Sequence, residues 1–256
     1  MSTLKWILFT AIGLYLVSLI GLYFLQRQLL YFPRHAVNYE VEHNYELQVN
    51  DVTLRGWMVN EGRPAAMIFY GGNAERIDFY IKNFQILFSG HTIYFVNYRG
   101  YGESDGRPSQ QALYSDALAV YDAIKTKYER IDLLGKSLGS GVAVYVAANR
   151  PVHRMALVTP YDSILNVAKT HYSMIPVGLI LKDKYESWKY AEKISAQTLL
   201  VSAENDQTIP AASTANLAAH IRPDLLTVKQ IKGADHNSIS AEESYYEALV
   251  DFFGRP

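Results

Sequence analysis

Cysteine is absent from the 256 residues. The chain therefore forms no disulfide, offers no thiolate to a metal and carries no cysteine nucleophile. Charge is sparse: charged residues make up 19% of the sequence and the formal net charge is −1. No long basic run is present, which argues against a nucleic-acid partner. Internal repeats, low-complexity stretches and signs of a second globular domain are lacking. No cluster of His and carboxylates has metal-ligand spacing, so neither a metal nor a cofactor is expected. What remains is a chain that is 49% hydrophobic and long enough for one α/β domain with a full core.

The apolar residues concentrate first in residues 6–25, which hold no charge and only Thr10 and Ser18 as clearly polar side chains. As a helix this run spans about 30 Å, the thickness of the bilayer core. Lys5 and Arg27 bracket it, and Trp6, Tyr23 and Phe24 sit at its ends as interfacial aromatics do. A signal peptide has a shorter apolar region and a small-residue cleavage site, whereas Gln26-Arg27-Gln28-Leu29-Leu30 follows here. A buried helix of a soluble protein is the other reading. The expectation is a single-pass membrane anchor over residues 1–28, followed by a catalytic domain over 29–256. Lys5 on one side and Arg27 and Arg34 on the other leave the charge count nearly even, so the side is open.

Beyond the run, strands and helices alternate. Residues 39–50 and 52–60 alternate apolar and polar side chains and read as two antiparallel strands. The continuous apolar run at 65–70 reads as a strand covered on both faces, 92–98 and 130–134 read as further buried strands, and 155–159, 198–202 and 225–231 read as strands. Helices are expected at 74–88, 109–128, 138–149, 210–221 and 241–253. The fold class is α/β: a mostly parallel eight-stranded sheet with helices on both faces. Residues 160–193 break the rhythm with aromatic and aliphatic side chains and Pro176, and read as a small helical lid.

Gly135-Lys136-Ser137-Leu138-Gly139 fits G-x-S-x-G, the strand-to-helix turn that exposes a nucleophilic serine. A plain Gly-Ser turn matches the same residues, but here a buried strand precedes it and an Ala-, Val- and Gly-rich helix follows. A phosphate loop is excluded, because Arg130 stands where Walker A requires its first glycine. A serine nucleophile needs a base and an orienting acid. Asp206 follows the strand at 198–202 and is the expected acid. Glu204 is the fallback, and a helix-capping Asp206 is the plain alternative. His236 follows the strand at 225–231 and alone among seven histidines lies between the last strand and the last helix. His35, His43, His91, His153, His171 and His220 read as surface or packing residues. The oxyanion hole is expected from the backbone N–H groups of Leu138 and Asn73, with Gly71 and Gly72 letting substrate approach. The triad lies wholly within the domain, so a chain starting near Tyr39 is expected to equal the full chain on soluble short-chain esters.

Together these stretches resemble the α/β-hydrolase superfamily over residues 39–253. Within it they resemble the BEM46-like group of serine hydrolases, which includes the mammalian α/β-hydrolase domain-containing proteins 13 and 17. The likeness rests on Gly71-Gly72-Asn73-Ala74-Glu75, on residues 97–106 (Asn97-Tyr98-Arg99-Gly100-Tyr101-Gly102-Glu103-Ser104-Asp105-Gly106), on the serine turn, on Pro160-Tyr161-Asp162-Ser163-Ile164, on Asp206-Gln207-Thr208-Ile209-Pro210 and on His236-Asn237. The resemblance implies the α/β-hydrolase fold, the triad Ser137, Asp206 and His236, and the oxyanion donors Asn73 and Leu138. It also implies hydrolysis of esters, lipids or acylated proteins, and favours an amino-terminal membrane segment. Gly71 stands where the group has a His that braces the oxyanion loop.

The resulting expectation is a membrane-anchored serine hydrolase for acyl esters or thioesters, with a small-molecule or lipid acyl substrate. Its second partner is the membrane, through the amino-terminal helix. A non-catalytic binding module on the same scaffold and a serine peptidase are the alternatives. The lid either packs on the core or lines an acyl pocket.

Overall fold

The computed structural model describes residues 3–33, 39 and 41–254. Arg34, His35 and the part of the expected first strand at residue 40 lie outside the described residues.

An eight-stranded sheet organises the chain in the order β1-β2-β4-β3-β5-β6-β7-β8. Its strands are β1 (Tyr45–Val49), β2 (Val52–Val59), β3 (Ala65–Tyr70), β4 (His91–Val96), β5 (Arg130–Lys136), β6 (Arg154–Val158), β7 (Gln197–Ala203) and β8 (Leu226–Ile231). The pairs β1–β2 and β2–β4 are antiparallel, and the other five pairs are parallel. The apolar runs are explained by burial on both sides. In β3, Ala66, Ile68 and Tyr70 face one core while Met67 and Phe69 face the other. Helices α3 (Gln110–Ile124) and α4 (Leu138–Asn149) cover the first face; α2 (Ile81–Leu87) and α9 (Glu243–Phe253) cover the second. Between β7 and β8 runs α8 (Ala211–Ala219).

The lid comprises α5 (Ile164–His171), α6 (Val177–Ile180) and α7 (Trp188–Ala191). Its entry is fixed by the buried Asp162. One carboxylate oxygen accepts from the Ser163 N–H at 2.7 Å and the Ser213 hydroxyl at 2.5 Å; the other accepts from Asn166 and Asn216 at 2.7 Å each.

The helix expected at 74–88 begins late. Ala74 has φ 57, so the chain leaves β3 through a left-handed turn, passes a short 3₁₀ turn at Ile77–Tyr80 and only then enters α2. The strand expected at 39–50 pairs only from Tyr45; before it, Trp57 donates its indole N–H to the Val41 carbonyl at 3.0 Å.

Helix α1 (Thr3–Leu30) is long and apolar enough to cross a membrane and is unburied over that length. It runs unbroken past residue 28, the expected boundary between anchor and domain. Its carboxyl half lies on the lid. The Tyr15 hydroxyl donates to the Met174 carbonyl at 2.8 Å, the Gln26 amide to the Ile180 carbonyl at 2.9 Å, and Arg27 to Asp183 at 2.8 Å. Just past the helix, the buried Tyr31 and Tyr185 hydroxyls meet at 2.9 Å.

Candidate active site

Four loops converge at the carboxyl edge of the parallel strands, where ligands bind in open α/β sheets. Ser137 occupies the turn from β5 into α4 with φ 48 and ψ −115, a left-handed conformation that costs a non-glycine residue about 1–3 kcal/mol. Its flanking glycines permit the turn. A Cβ on Gly139 would lie 2.0 Å from the Tyr70 carbonyl oxygen, and one on Gly135 would lie 2.4 Å from the Gly139 carbonyl oxygen.

The structure brings the three expected side chains into one chain of hydrogen bonds. His236 Nδ1 lies 2.8 Å from Asp206 Oδ2, and His236 Nε2 lies 2.9 Å from Ser137 Oγ. An ionised carboxylate only accepts, so Nδ1 carries the proton and Nε2 accepts from the serine hydroxyl. The other oxygen of Asp206 accepts the N–H groups of Thr208 and Ile209 at 2.9 and 2.8 Å. Asp206 therefore braces its own loop as well as the imidazole. Glu204 is exposed and accepts the Gly233 N–H at 2.8 Å; it holds the His236 loop rather than the ring. Asp235 shapes the same loop by accepting the Asn237 and Ser238 N–H groups at 2.8 Å each. The Ser238 and Asn237 N–H bonds hold its carboxyl below the usual carboxylate range.

Asn73 and Leu138 both border the cavity beside Ser137. Among the described residues, neither backbone N–H has an acceptor, which leaves both free for an incoming oxygen. Leu138 is the first residue of α4, whose opening N–H groups lack intrahelical partners. Gly72 contributes no free donor, because its N–H goes to Glu75 Oε2 at 2.6 Å.

Two sets of contacts around this loop were not legible as such. Asn73 is clamped by its side chain: Oδ1 accepts from the Phe32 N–H at 3.0 Å and the Tyr101 hydroxyl at 2.6 Å, while Nδ2 donates to the Leu30 carbonyl at 2.7 Å. Tyr98 donates to the Gly71 carbonyl at 2.8 Å, and burial pushes its hydroxyl well above the usual phenol range, so it stays a donor. The 97–106 motif was the available signal for Tyr98 and Tyr101. Leu30, the last residue of α1, and Phe32 just beyond it thus hold the Asn73 side chain from outside the motifs.

The second set centres on Lys136. Its ammonium donates to Glu75 Oε1 at 2.5 Å, the Tyr80 hydroxyl at 2.7 Å and Ser240 Oγ at 3.3 Å. One buried cation thus ties the serine turn to the loop expected to hold the oxyanion through Glu75 and to the segment after His236 through Ser240. Burial, reinforced by the Glu75 carboxylate, raises the Tyr80 hydroxyl far above the phenol range. This cluster ties down the Gly71-Gly72-Asn73 segment, because Glu75 also accepts the Gly72 N–H. A Cβ on Gly71 would lie 2.4 Å from Ile77 Cγ2, so a side chain there requires Ile77 to move.

A cavity of about 1100 Å³ opens over Ser137 and His236. Its walls are mostly apolar: Leu22, Leu29 and Leu30 of α1 face Ile164, Val167, Ile175, Val177, Ile180 and Leu181 of the lid. His171, read as a surface or packing residue, is exposed; it borders the cavity and bonds the Thr208 carbonyl at 2.9 Å. Of the other histidines, His91 and His153 share the buried Asp132 at 2.9 and 3.0 Å, away from this cavity. Among the described residues, no group of three His, Asp or Glu could hold a metal ion.

Residues 65–185 match the model of the α/β-hydrolase fold family. The chain has the α/β-hydrolase fold and is similar to that family over these residues. α/β-Hydrolase domain-containing protein 17C of Xenopus tropicalis is 30% identical over 170 residues, covering 62% of this chain and 51% of the relative. An uncharacterised protein of Mycobacterium tuberculosis is 33% identical over 153 residues, covering 58% of this chain and 54% of the relative. The chain thus spans about half the length of the curated relatives it matches. Among solved structures, an esterase of Pyrococcus furiosus superposes with TM-score 0.67 at 17% identity, covering 87% of this chain and 97% of its own. An enol-lactonase of Burkholderia xenovorans superposes with TM-score 0.64 at 17% identity, covering 82% and 99%. These superpositions carry the fold.

Proposed function

We propose that this chain is a membrane-anchored serine hydrolase that cleaves acyl esters or thioesters through an acyl-enzyme. The unbroken Ser137–His236–Asp206 hydrogen-bond chain on the floor of an apolar cavity is the observation that carries the reading. Ser137 Oγ attacks the acyl carbonyl as its proton passes to His236 Nε2. Asp206 keeps the imidazole in the required tautomer and stabilises the imidazolium. The carbonyl oxygen gains negative charge against the N–H groups of Leu138 and Asn73. The imidazolium then protonates the departing alkoxide or thiolate, and the acyl group stays on Ser137. Water, deprotonated by the same imidazole, attacks the ester and returns Ser137.

The cavity supports an acyl substrate, since ligand sites are mostly apolar with a few placed polar groups. Helix α1 serves as anchor for residues 1–28, with residues 29–256 as the catalytic domain. Retention of α1, rather than its removal as a signal sequence, is supported by its contribution of Leu22, Gln26, Leu29 and Leu30 to the cavity wall. A non-catalytic binding module would have no use for the aligned serine and imidazole. Turnover of acyl esters of graded chain length by the purified full chain tests the proposal. We expect kcat/KM to rise from acetyl toward medium and long chains, and Ser137→Ala to abolish turnover throughout. Decline from acetyl upward would refute the acyl pocket.

A further inference from the structure

Residues 6–25 form the uncharged centre of α1, and Tyr15 lies midway along it. If α1 crosses the bilayer, Tyr15 sits near the midplane, about 15 Å from either edge of the hydrocarbon. The Tyr15 hydroxyl is bonded to the Met174 carbonyl at the tip of the lid. The lid thus follows the helix for about 18 Å, from Tyr15 to Arg27 at about 1.5 Å per residue. Its tip cannot remain in water while α1 spans the bilayer.

The lid is built for that position. Residues 172–181, Tyr-Ser-Met-Ile-Pro-Val-Gly-Leu-Ile-Leu, carry no charge. Met174 and Leu179 are each 86% exposed and Tyr172 is 58% exposed, an arrangement that favours hydrocarbon over water. The Lys184 ammonium reaches back to the Gly178 carbonyl at 3.1 Å, and along the chain charge returns at the level of the helix end. The Lys182 ammonium lies 3.9 Å from the centre of the Tyr23 ring, and Asp183 pairs with Arg27; aromatics and cations mark the membrane–water interface.

Polar groups inside a bilayer need partners within the protein. Thr10 and Ser18 hydroxyls bond back to the Trp6 and Tyr15 carbonyls, and Tyr15 finds the lid. The lid's Ile175, Val177, Leu179 and Leu181 N–H groups bond to lid carbonyls. The Ile180 carbonyl and the Lys182 N–H are both taken by the Gln26 amide. We propose that the lid segment 172–181 lies inside the bilayer beside α1. The cavity between them then opens into hydrocarbon, and the acyl chain of a membrane lipid enters sideways toward Ser137. This rests on α1 being the anchor.

The absence of cysteine makes the test direct. Single Met174→Cys and Ile12→Cys variants, each in a Ser137→Ala background, are labelled with an environment-sensitive fluorophore. The full chain is placed in phosphatidylcholine vesicles carrying a nitroxide either at acyl carbon 12 or on the headgroup. We expect both labels to be quenched more by the deep nitroxide than by the headgroup nitroxide, and neither by aqueous iodide. An Ile12 label in hydrocarbon with a Met174 label open to iodide would overturn the lid inference alone. Both labels in water would remove the anchor beneath it.

A second arm uses Leu179→Asp, which lies outside the cavity lining. Turnover of a water-soluble short-chain ester should stay within about twofold of wild type. Turnover of a long-chain ester in vesicles should fall at least about tenfold, because a carboxylate resists entry into hydrocarbon. Equal loss on both substrates, or none on vesicles, would overturn the proposal.

Discussion

Replacing Lys136 by Met strips the Glu75 carboxylate, 15% exposed, of its cation. Lys136 is 6% exposed, and its ammonium is the charge facing Glu75 at 2.5 Å. Removing one partner of a buried ion pair costs about 3–5 kcal/mol, because the other charge stays desolvated. For a domain of this size each kcal/mol lowers Tm by about 2–4 °C, so Lys136→Met should melt roughly 6–20 °C below wild type. Glu75→Gln should cost less, because the ammonium keeps Tyr80 and Ser240, and a Gln oxygen can still accept the Gly72 N–H. The double variant Lys136→Met/Glu75→Gln buries no charge and should recover most of the stability. Activity should separate from stability. Loss of the brace lets the Gly72-Asn73 segment move, and misplacing one oxyanion donor costs up to about 10²–10³-fold in kcat. All three variants should therefore lose kcat on a soluble ester, with KM little changed, and Lys136→Arg should restore part of it. Calorimetry and steady-state kinetics on the four proteins give the answer. A Lys136→Met protein with wild-type Tm and kcat would refute the reasoning. So would a double variant that regains full kcat along with its Tm.

Two more outcomes follow from the same geometry. Asp206→Asn should stay folded and lose about 10⁴-fold in kcat, as loss of the orienting acid does in Ser-His-Asp proteases, whereas Glu204→Gln, which leaves an oxygen for the Gly233 N–H, should retain most activity; the reverse pattern in stopped assays would exchange their roles. A chain starting at Tyr39 loses the Leu30 and Phe32 contacts to Asn73, so its kcat on a soluble short-chain ester should fall roughly 10-fold or more; undiminished turnover would show that the end of α1 does not matter to the oxyanion loop.

The sheet was legible because β3 to β7 are buried on both faces and write their apolar runs directly into the sequence. The serine turn was legible because only glycine fits where Gly139 meets the Tyr70 carbonyl. Asp206 and His236 could be placed because each follows a readable strand. The oxyanion loop was less legible. Ala74 breaks the expected helix with a left-handed turn, and the Asn73 side chain is spent on the end of α1, a contact set by tertiary packing. Lys136 and Glu75 lie 61 positions apart, so their pairing has no local signature. The docking of α1 on the lid was hidden for the same reason. Its apolar run reads as a candidate membrane span, and nothing in that run tells which element of the domain will lie against it.

The proposed mechanism requires Ser137 to form the acyl-enzyme. The direct measurement is intact-mass and peptide analysis of the full chain after reaction with a fluorophosphonate, alongside ester turnover by Ser137→Ala. A single adduct on the Ser137 peptide, lost in Ser137→Ala together with turnover by several orders of magnitude, is the predicted result. An adduct on another residue, or a Ser137→Ala protein that still turns over ester at the wild-type rate, would contradict it.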